Sequence, residues 1–524
     1  MYPSLKALIS QTLDIECFLE KPKDRKFGHF ALPTFSLAKT LKKNPPEIAQ
    51  DFAKKLATLA EIININVVGG YVNFSLSDGF LQECVKNFLT PKFLKNTKEK
   101  ILLEYVSANP TGPLHIGHAR GAIFGDCLAR FGEYLGFEVV REYYINDAGT
   151  QIENLGRSIY IAGRHLFFNE AYNLPEDCYR GEYILELAKE AKEHFGEECF
   201  ESEKNIADLS VFGKDKMLEE IQANLAQIGI VFDNFVSEKT LFKEWDNTLA
   251  QLQKGNGVYE LEKKIWIKSS EYGDEKDRVI VRENGEPTYL AGDIIYHRNK
   301  FKRSFDKYIN IWGADHHGYI ARIKAAIEFL GYESKNLEIL LSQMVALLKN
   351  GEAYKMSKRA GNFILLKDVV EEVGSDALRL AFLSKKADTH LEFDVGDLKK
   401  QDSSNPIYYI NYAHARIHTL FEKSHQDFQS FQGQSLEGIT ESLRDLLVLA
   451  LNFSKVLEDS FSQRAPQKMV EYLRMLSSEF HHFYNEEKIL HTENEKQILS
   501  VLKIVAQALF QGLELLGVQA KTKM

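Results

Sequence analysis

The sequence predicts an α/β protein built on a parallel sheet, with a small α+β unit before it and an all-helical bundle after it. Three observations carry this. From residue 97 to about 385, short apolar runs alternate with amphipathic helical patterns, the mark of a parallel sheet covered by helices on both faces. Residues 1 to 96 mix helical patterns with a β-branched run, Ile62 to Val68, that turns at Gly69-Gly70 into Tyr71-Val72-Asn73-Phe74. From about 400 to 524 apolar residues recur at helical spacing and almost no strand-like segment remains. A chain of 524 residues fits about three domains, placed here at 1–96, 97–399 and 400–524. A Glu- and Lys-rich, mostly helical stretch near 155–265 reads as an insertion in the middle one.

In the first domain a helical pattern runs from Thr34 to Leu41, Pro45-Pro46 breaks it, and a second helix runs from Glu47 to Leu59. In the second, the buried strands expected are Ile101–Val106, Val139–Tyr144, Lys307–Trp312 and Glu338–Val345. Val258–Ile267 reads as a strand pair inside the insertion. In the third, Leu443–Leu457, Met469–Tyr484 and Glu495–Leu516 carry the helical spacing.

Hydrophobic content of 44% and charged content of 27% are those of a soluble globular protein. No stretch approaches the roughly 20 apolar residues that span a bilayer, so no membrane partner is expected. The N-terminus lacks the apolar core of a signal peptide. The five cysteines (Cys17, Cys84, Cys127, Cys178, Cys199) are scattered and form no C-x-x-C, which argues against a zinc site and a disulfide framework and favours the cytoplasm. A net charge of −9 argues on its face against a nucleic-acid partner, but a local basic track binds phosphate even on an acidic protein. Lys21, Lys23, Arg25, Lys26, Lys39, Lys42 and Lys43 form either such a track or a solvated face.

The chain is organised around Leu102 to Gly121. An apolar strand ends at the turn-forming run Asn109-Pro110-Thr111-Gly112-Pro113, then His115-Ile116-Gly117-His118 opens a helix with Ala119, Ile123, Leu128 and Phe131 on one apolar face. A strand, tight loop and helix start point backbone N–H groups and the positive helix end at whatever binds, usually a phosphate. His115 and His118 lie on one helical face and can donate to the same anion, and Gly117 lets a ligand approach the backbone. Far downstream stands Lys355-Met356-Ser357-Lys358-Arg359.

H-I-G-H followed by K-M-S-K resembles the paired signatures of class I aminoacyl-tRNA synthetases. The longer strings EYVSANPTGPLHIGHARGA, TYLAGDIIYH, GADHHGYIARIKAA and NPIYYINYAHARI are similar to arginyl-tRNA synthetases over nearly the whole chain. The resemblance implies a Rossmann-like catalytic domain, an N-terminal add-on domain that contacts tRNA, and a helical domain that reads the anticodon. It implies ATP-dependent activation of L-arginine to an adenylate and transfer to the 3′ end of tRNA(Arg), by a cytoplasmic monomer using Mg²⁺ with ATP and no protein-bound metal. His115, His118, Lys358 and Lys355 become the catalytic candidates. Asn109, Pro110, Thr111, Gly112, Pro113, His115, Gly117, His118, Gly313, Met356, Ser357 and Lys358 become the ATP site.

Arginine presents a planar guanidinium, and a site that selects it needs carboxylates in fork geometry. The resemblance gives that role to Tyr289 and Asp293, four apart on one helical face. It puts Glu104, Ser107 and Asn109, with His118, around the amino-acid end. His316 falls where many family members have a glutamine near the substrate, a departure that leaves its role open. Asp315-His316-His317 also reads as a metal pair, but no third His or Cys stands at ligand spacing. In the aromatic-rich start of the bundle, Ile407, Tyr408 and Ile410 read as core, and Tyr409, Asn411, Tyr412 and Arg416 as tRNA contacts that stack on splayed bases. Three other readings stay open: a different class I synthetase, a simple nucleotidyltransferase, and a non-catalytic tRNA binder. Intact His115, His118 and Lys358 speak against the last.

Overall fold

The computed structural model describes residues 1–22, 24–89, 98–354 and 364–524. The chain divides into two compact units, Lys95–Lys400 and a discontinuous one of Met1–Leu94 with Gln401–Met524.

The unit Lys95–Lys400 is built on a five-stranded parallel sheet. Its order is Leu337–Ser342, Lys307–Gly313, Lys100–Glu104, Glu138–Ile145, Asn234–Ser237. The strand that leads into the histidine motif is therefore central. Ile101, Leu102 and Leu103 are buried, as a near-continuous apolar run in a strand covered on both faces must be. Parallel register sets Asn310, Glu104 and Glu142 abreast on three neighbouring strands. All the strand C-termini open on one side, where ligands bind in such sheets.

Two expectations for this unit change. The segment near 155–265 is not a single insertion. Helices Thr150–Phe168, Glu182–Phe195 and Ile206–Gln227 pack around Leu155, Ile159, Leu187, Phe200 and Leu209, and the chain then returns to the main sheet as Asn234–Ser237. That strand is four residues long and half polar, so it lacks the apolar run that marks a buried strand. The expected strand Glu338–Val345 is two strands. Leu337–Ser342 stays in the main sheet, while Val345–Lys349 pairs with Leu391–Asp394 and Glu352–Ala353. The strand pair Val258–Leu261 and Lys264–Ile267 gains a third member, Arg278–Val281.

The histidine helix, Ile116–Leu135, packs tightly on the central strand. A Cβ on Gly125 would stand 2.4 Å from the buried Tyr105 ring, so only glycine allows this approach. On the next residue, Asp126 accepts from Arg130 at 2.7 Å and pairs with the fully buried Arg379, whose other nitrogen donates to the Ile228 carbonyl at 2.7 Å.

In the second unit, Phe30–Pro33, Tyr71–Leu76 and Ile62–Val68 form an antiparallel sheet with helices Tyr2–Leu13, Pro45–Leu56 and Asp78–Phe88. The bundle comprises Pro406–Lys423, Glu441–Leu451, Phe453–Ser462, Gln467–Glu486 and Glu495–Leu515. Within this unit the two parts touch: Arg444 pairs with Asp78, and Gln82 accepts the Leu436 N–H at 3.0 Å. By length and composition the helix Glu495–Leu515 is apolar enough to cross a membrane, which the expectation of no such stretch missed. Its most apolar window is 72% buried, as suits a central bundle helix. All five cysteines are buried free thiols.

Candidate active site

The strand Lys100–Glu104 ends in an uncommon turn. Val106 and Ser107 have φ of 69° and 43°, the left-handed region that a β-branched valine strongly disfavours. Such strain, about 1–3 kcal/mol per residue, persists where surrounding bonds enforce it. Here they do. The Ser107 hydroxyl donates to Glu104 Oε1 at 3.0 Å and accepts the Tyr144 N–H at 3.1 Å, and the Tyr143 hydroxyl donates to the Ala108 carbonyl at 2.7 Å. Beyond the turn, Asn109 is exposed and Pro110 and Thr111 are buried. The Thr111 carbonyl accepts the Tyr183 hydroxyl at 3.1 Å, so a residue of the helical crossover covers the loop at Gly112.

His115 is the N-cap of the histidine helix. Its Nδ1 accepts the Gly117 N–H at 3.1 Å, while His118 Nδ1 accepts the His115 N–H at 3.4 Å. This is a reciprocal capping box made by imidazoles. The two rings stack with centroids 3.7 Å apart. Because each Nδ1 accepts, each neutral ring carries its proton on Nε2. Burial pushes His115 down, and burial plus the His115 ring pushes His118 down to about 3. At neutral pH the pair therefore offers neutral N–H donors rather than positive charge. A Cβ on Gly117 would press on the His115 ring at 3.0 Å.

On the same side of the sheet, acids gather. Glu104 is buried with Lys300 against one oxygen and Ser107 against the other. Asp293 lies within the helix Tyr289–Lys302, whose N-cap is Thr288, so it is no cap itself. Burial, then Glu238 and Glu104, push Asp293 up to about 7, against a downward pull from Lys300. Glu238 is pushed up to about 7 by burial and Asp147, while Tyr144 works the other way. Glu238 lies over Gly292, where a Cβ would stand 2.1 Å from its Oε1. The site thus holds an excess of carboxyl groups that a cation relieves. Sequence reasoning missed Glu238, which follows a short edge strand with no motif of its own; its approach to Gly292 is a signal only in three dimensions. Tyr289 opens its helix 56% exposed, with its ring edge 3.6 Å from where a Cβ on Gly149 would stand.

Gly313 closes its strand, and Asp315 Oδ1 lies 2.4 Å from where its Cβ would be. His316 is exposed beside Asp315, at 3.6 Å, with Trp312 and Tyr319 as its ring neighbours. Lys355, Met356, Ser357 and Lys358 lie outside the described residues. The chain that follows them is tied to the histidine motif: Ile116 N–H donates to the Ile364 carbonyl and Leu366 N–H to the Leu114 carbonyl, both at 2.9 Å. Among the described residues one group has metal-ligand spacing, His29, Glu441 and Asp445 in the other unit. There His29 Nδ1 accepts the Leu76 N–H at 3.0 Å, which keeps the proton on Nε2 and disfavours a metal.

Residues 84–413 match the family described as "tRNA synthetases class I (R), catalytic domain". Residues 4–76 match "Arginyl tRNA synthetase N terminal domain" and residues 410–524 "DALR anticodon binding domain". The chain belongs to the arginyl-tRNA synthetases. It is 60% identical over the full length of both chains to a Wolinella succinogenes protein named arginine–tRNA ligase. A Nitratiruptor relative of that name is 54% identical, again over all of both chains. Among solved structures, the Thermus thermophilus arginyl-tRNA synthetase shares the fold with TM-score 0.81 at 22% identity, covering 100% of each chain. This synthetase is therefore an aminoacyl-tRNA ligase with the ATP-dependent chemistry of class I.

The candidate RNA-contacting residues of the synthetase sit on the helix Pro406–Lys423 and separate into two groups. Tyr412 is exposed, Tyr409 and Arg416 are half-buried, and Arg416 lies over the Tyr484 ring at 3.8 Å. Tyr408 and Tyr412 stack at 5.9 Å, and the His481 ring packs on Tyr409 and Tyr412. Asn411 departs from its expected role. It is 1% exposed, and its Oδ1 accepts the Lys521 N–H at 2.8 Å, which holds the C-terminal tail. Position 411 follows Ile410 onto the inner face, where a polar side chain anchors backbone rather than RNA.

Proposed function

We propose that the synthetase activates L-arginine at the end of its central strand and transfers it to the 3′ end of tRNA(Arg), with the roles of its residues as follows. The arginine carboxylate attacks the α-phosphate of ATP, taken as its Mg²⁺ complex, and pyrophosphate leaves. A ribose hydroxyl of the tRNA then attacks the adenylate carbonyl and releases AMP. The first nucleophile is already an anion, so the step needs in-line positioning and stabilised phosphate charge rather than a base. His115 and His118 supply Nε2–H donors, the loop from Asn109 to Pro113 with Gly117 cradles the phosphates, and Gly313 lies near the adenosine. Lys358, helped by Lys355, supplies positive charge to the phosphates, and Met356 and Ser357 belong to the same ATP-binding motif.

Asp293, with Tyr289 and Glu238, receives the guanidinium, and Glu104, Ser107, Asn109 and His118 surround the amino-acid end. His316 borders the pocket. The observation that carries this reading is the gathering of acids at the strand ends, where Glu238 lies over Gly292 and where burial and neighbouring carboxylates push Asp293 and Glu238 up to about 7. Tyr409, Tyr412 and Arg416 contact the tRNA. The enzyme works as a monomer and in the cytoplasm, the second reading supported by its buried free cysteines. Charging of tRNA(Arg) with arginine, citrulline and lysine tests the substrate. Arginine alone should be attached, because citrulline leaves the buried acids unpaired; equal charging with citrulline would overturn the assignment of Asp293.

A further inference from the structure

Burying a lysine ammonium is costly unless carboxylates and other acceptors surround it. Lys300, in the last turn of the helix Tyr289–Lys302, is fully buried. Its Nζ donates to Glu104 Oε2 and, at 2.7 Å, to Asn310 Oδ1, and stands 4.4 Å from the Tyr296 ring centre. The other Glu104 oxygen accepts the Ser107 hydroxyl at 3.0 Å. Asn310 is itself held in one orientation. Its Nδ2 lies 3.0 Å from His297 Nε2, and His297 Nδ1 lies 2.8 Å from the Asp293 carbonyl. Since that carbonyl only accepts, His297 Nδ1 donates and Nε2 accepts, which turns the Asn310 amide oxygen toward Lys300. The neighbouring acid in register, Glu142, is separately engaged by Arg303 and by the Tyr296 hydroxyl at 2.9 Å. One chain of bonds therefore runs from the Asp293 backbone through His297, Asn310 and Lys300 to Glu104 and Ser107.

A carboxylate offers about four acceptor positions, and Lys300 and Ser107 occupy two on Glu104. A carboxylate already locked by a buried cation needs no reorganisation when a second cation arrives. We propose that Lys300 is a positioning residue for the amino-acid end of the substrate: it pins Glu104, and with it the Ser107 hydroxyl, so that the remaining Glu104 lone pairs receive the α-ammonium group of arginine. The chain to the Asp293 backbone ties that end of the pocket to the helix that carries the guanidinium acid. This inference rests on the proposed placement of Glu104 beside the α-amino group.

The test compares L-arginine with its des-amino analogue, which keeps the guanidinium and carboxylate but lacks the α-ammonium. Both affinities are measured on the full chain with tRNA present, the analogue by competition. The wild type should prefer arginine by about tenfold or more, equivalent to about 1.4 kcal/mol. Lys300→Met should erase most of that preference while leaving the analogue's affinity and the ATP KM within about twofold. A folded Lys300→Met protein that keeps the wild-type preference, or that loses both ligands equally, overturns the proposal.

If Lys300→Met does not fold, Asn310→Ala decides, since it keeps both charges and removes only the second anchor of Lys300. A loss of about threefold in preference supports the role, and an unchanged preference overturns it. Asp293→Asn separates the two readings. If it leaves both ligands unaffected, the arginine site itself is misassigned. If it weakens both while Lys300→Met leaves the preference intact, only the role of Lys300 fails.

Discussion

Replacing Asp293 with asparagine keeps the side-chain volume and removes the charge placed opposite the guanidinium. In the empty protein burial, Glu238 and Glu104 push Asp293 up to about 7. Ionising it for the ligand at neutral pH therefore costs only about 0.4 kcal/mol. A hydrogen bond to a charged group contributes about 1.5–3 kcal/mol, and a carboxylate fork makes two where an asparagine oxygen accepts one. The expected loss is about 2–3 kcal/mol, or about 30- to 150-fold in the arginine KM. Arginine-dependent pyrophosphate exchange with tRNA present reads it directly, with the ATP KM as the control.

The same acid predicts a pH dependence. With a pKa of about 7, the fraction of ionised Asp293 drops about tenfold from pH 8 to pH 6, so the arginine KM should rise about tenfold. The rise approaches a hundredfold if Glu238 must ionise too. The guanidinium stays protonated throughout, and His118, pushed down to about 3, stays neutral. A KM for Asp293→Asn within about twofold of wild type, or a flat wild-type profile, would refute the reasoning.

Other consequences are measurable with the same protein. His118→Ala and Lys358→Ala should lose most arginine activation while still binding tRNA, so that exchange falls and a tRNA-binding titration does not. Arg379→Met strands Asp126 beside a single remaining arginine and should cost about 3–5 kcal/mol of unfolding free energy, read by denaturant titration. Tyr412→Ala and Arg416→Ala should weaken tRNA binding with the arginine KM unchanged, whereas Asn411→Ala should lower the thermal midpoint and leave tRNA affinity alone.

Asp293 and Glu238, held above the ordinary carboxyl range, cost the empty fold nothing below about pH 4, and that cost grows until about pH 7. Thermal midpoints of the empty protein should therefore fall through that window, and Asp293→Asn should flatten the fall.

What the sequence made legible follows the reach of its local signals. The histidine motif is readable because a capped helix start is a local event: His115 and His118 cap each other within one turn. Asp293 is readable as a candidate only through the family resemblance, which pairs it with Tyr289 one turn earlier in the same helix. Glu238 is not, since what makes it a candidate is the approach of Gly292, 54 positions away in the chain, to its carboxyl group. Lys300 likewise looks like a surface lysine at a helix end until the sheet brings Glu104 and Asn310 under it. The fifth strand, Asn234–Ser237, has no apolar signature because it is a short edge strand, so its segment read as part of an insertion. Asn411 misleads for the opposite reason: polar and set among tyrosines, it has an RNA-binding composition, and only its inward position shows that it holds the tail.

The central claim is that this site activates arginine. Exchange of labelled pyrophosphate into ATP, measured for each amino acid with and without tRNA(Arg), tests it most directly. The account predicts exchange with arginine and with no other amino acid. Exchange supported equally by another amino acid, or absent with arginine even when tRNA is present, would contradict it.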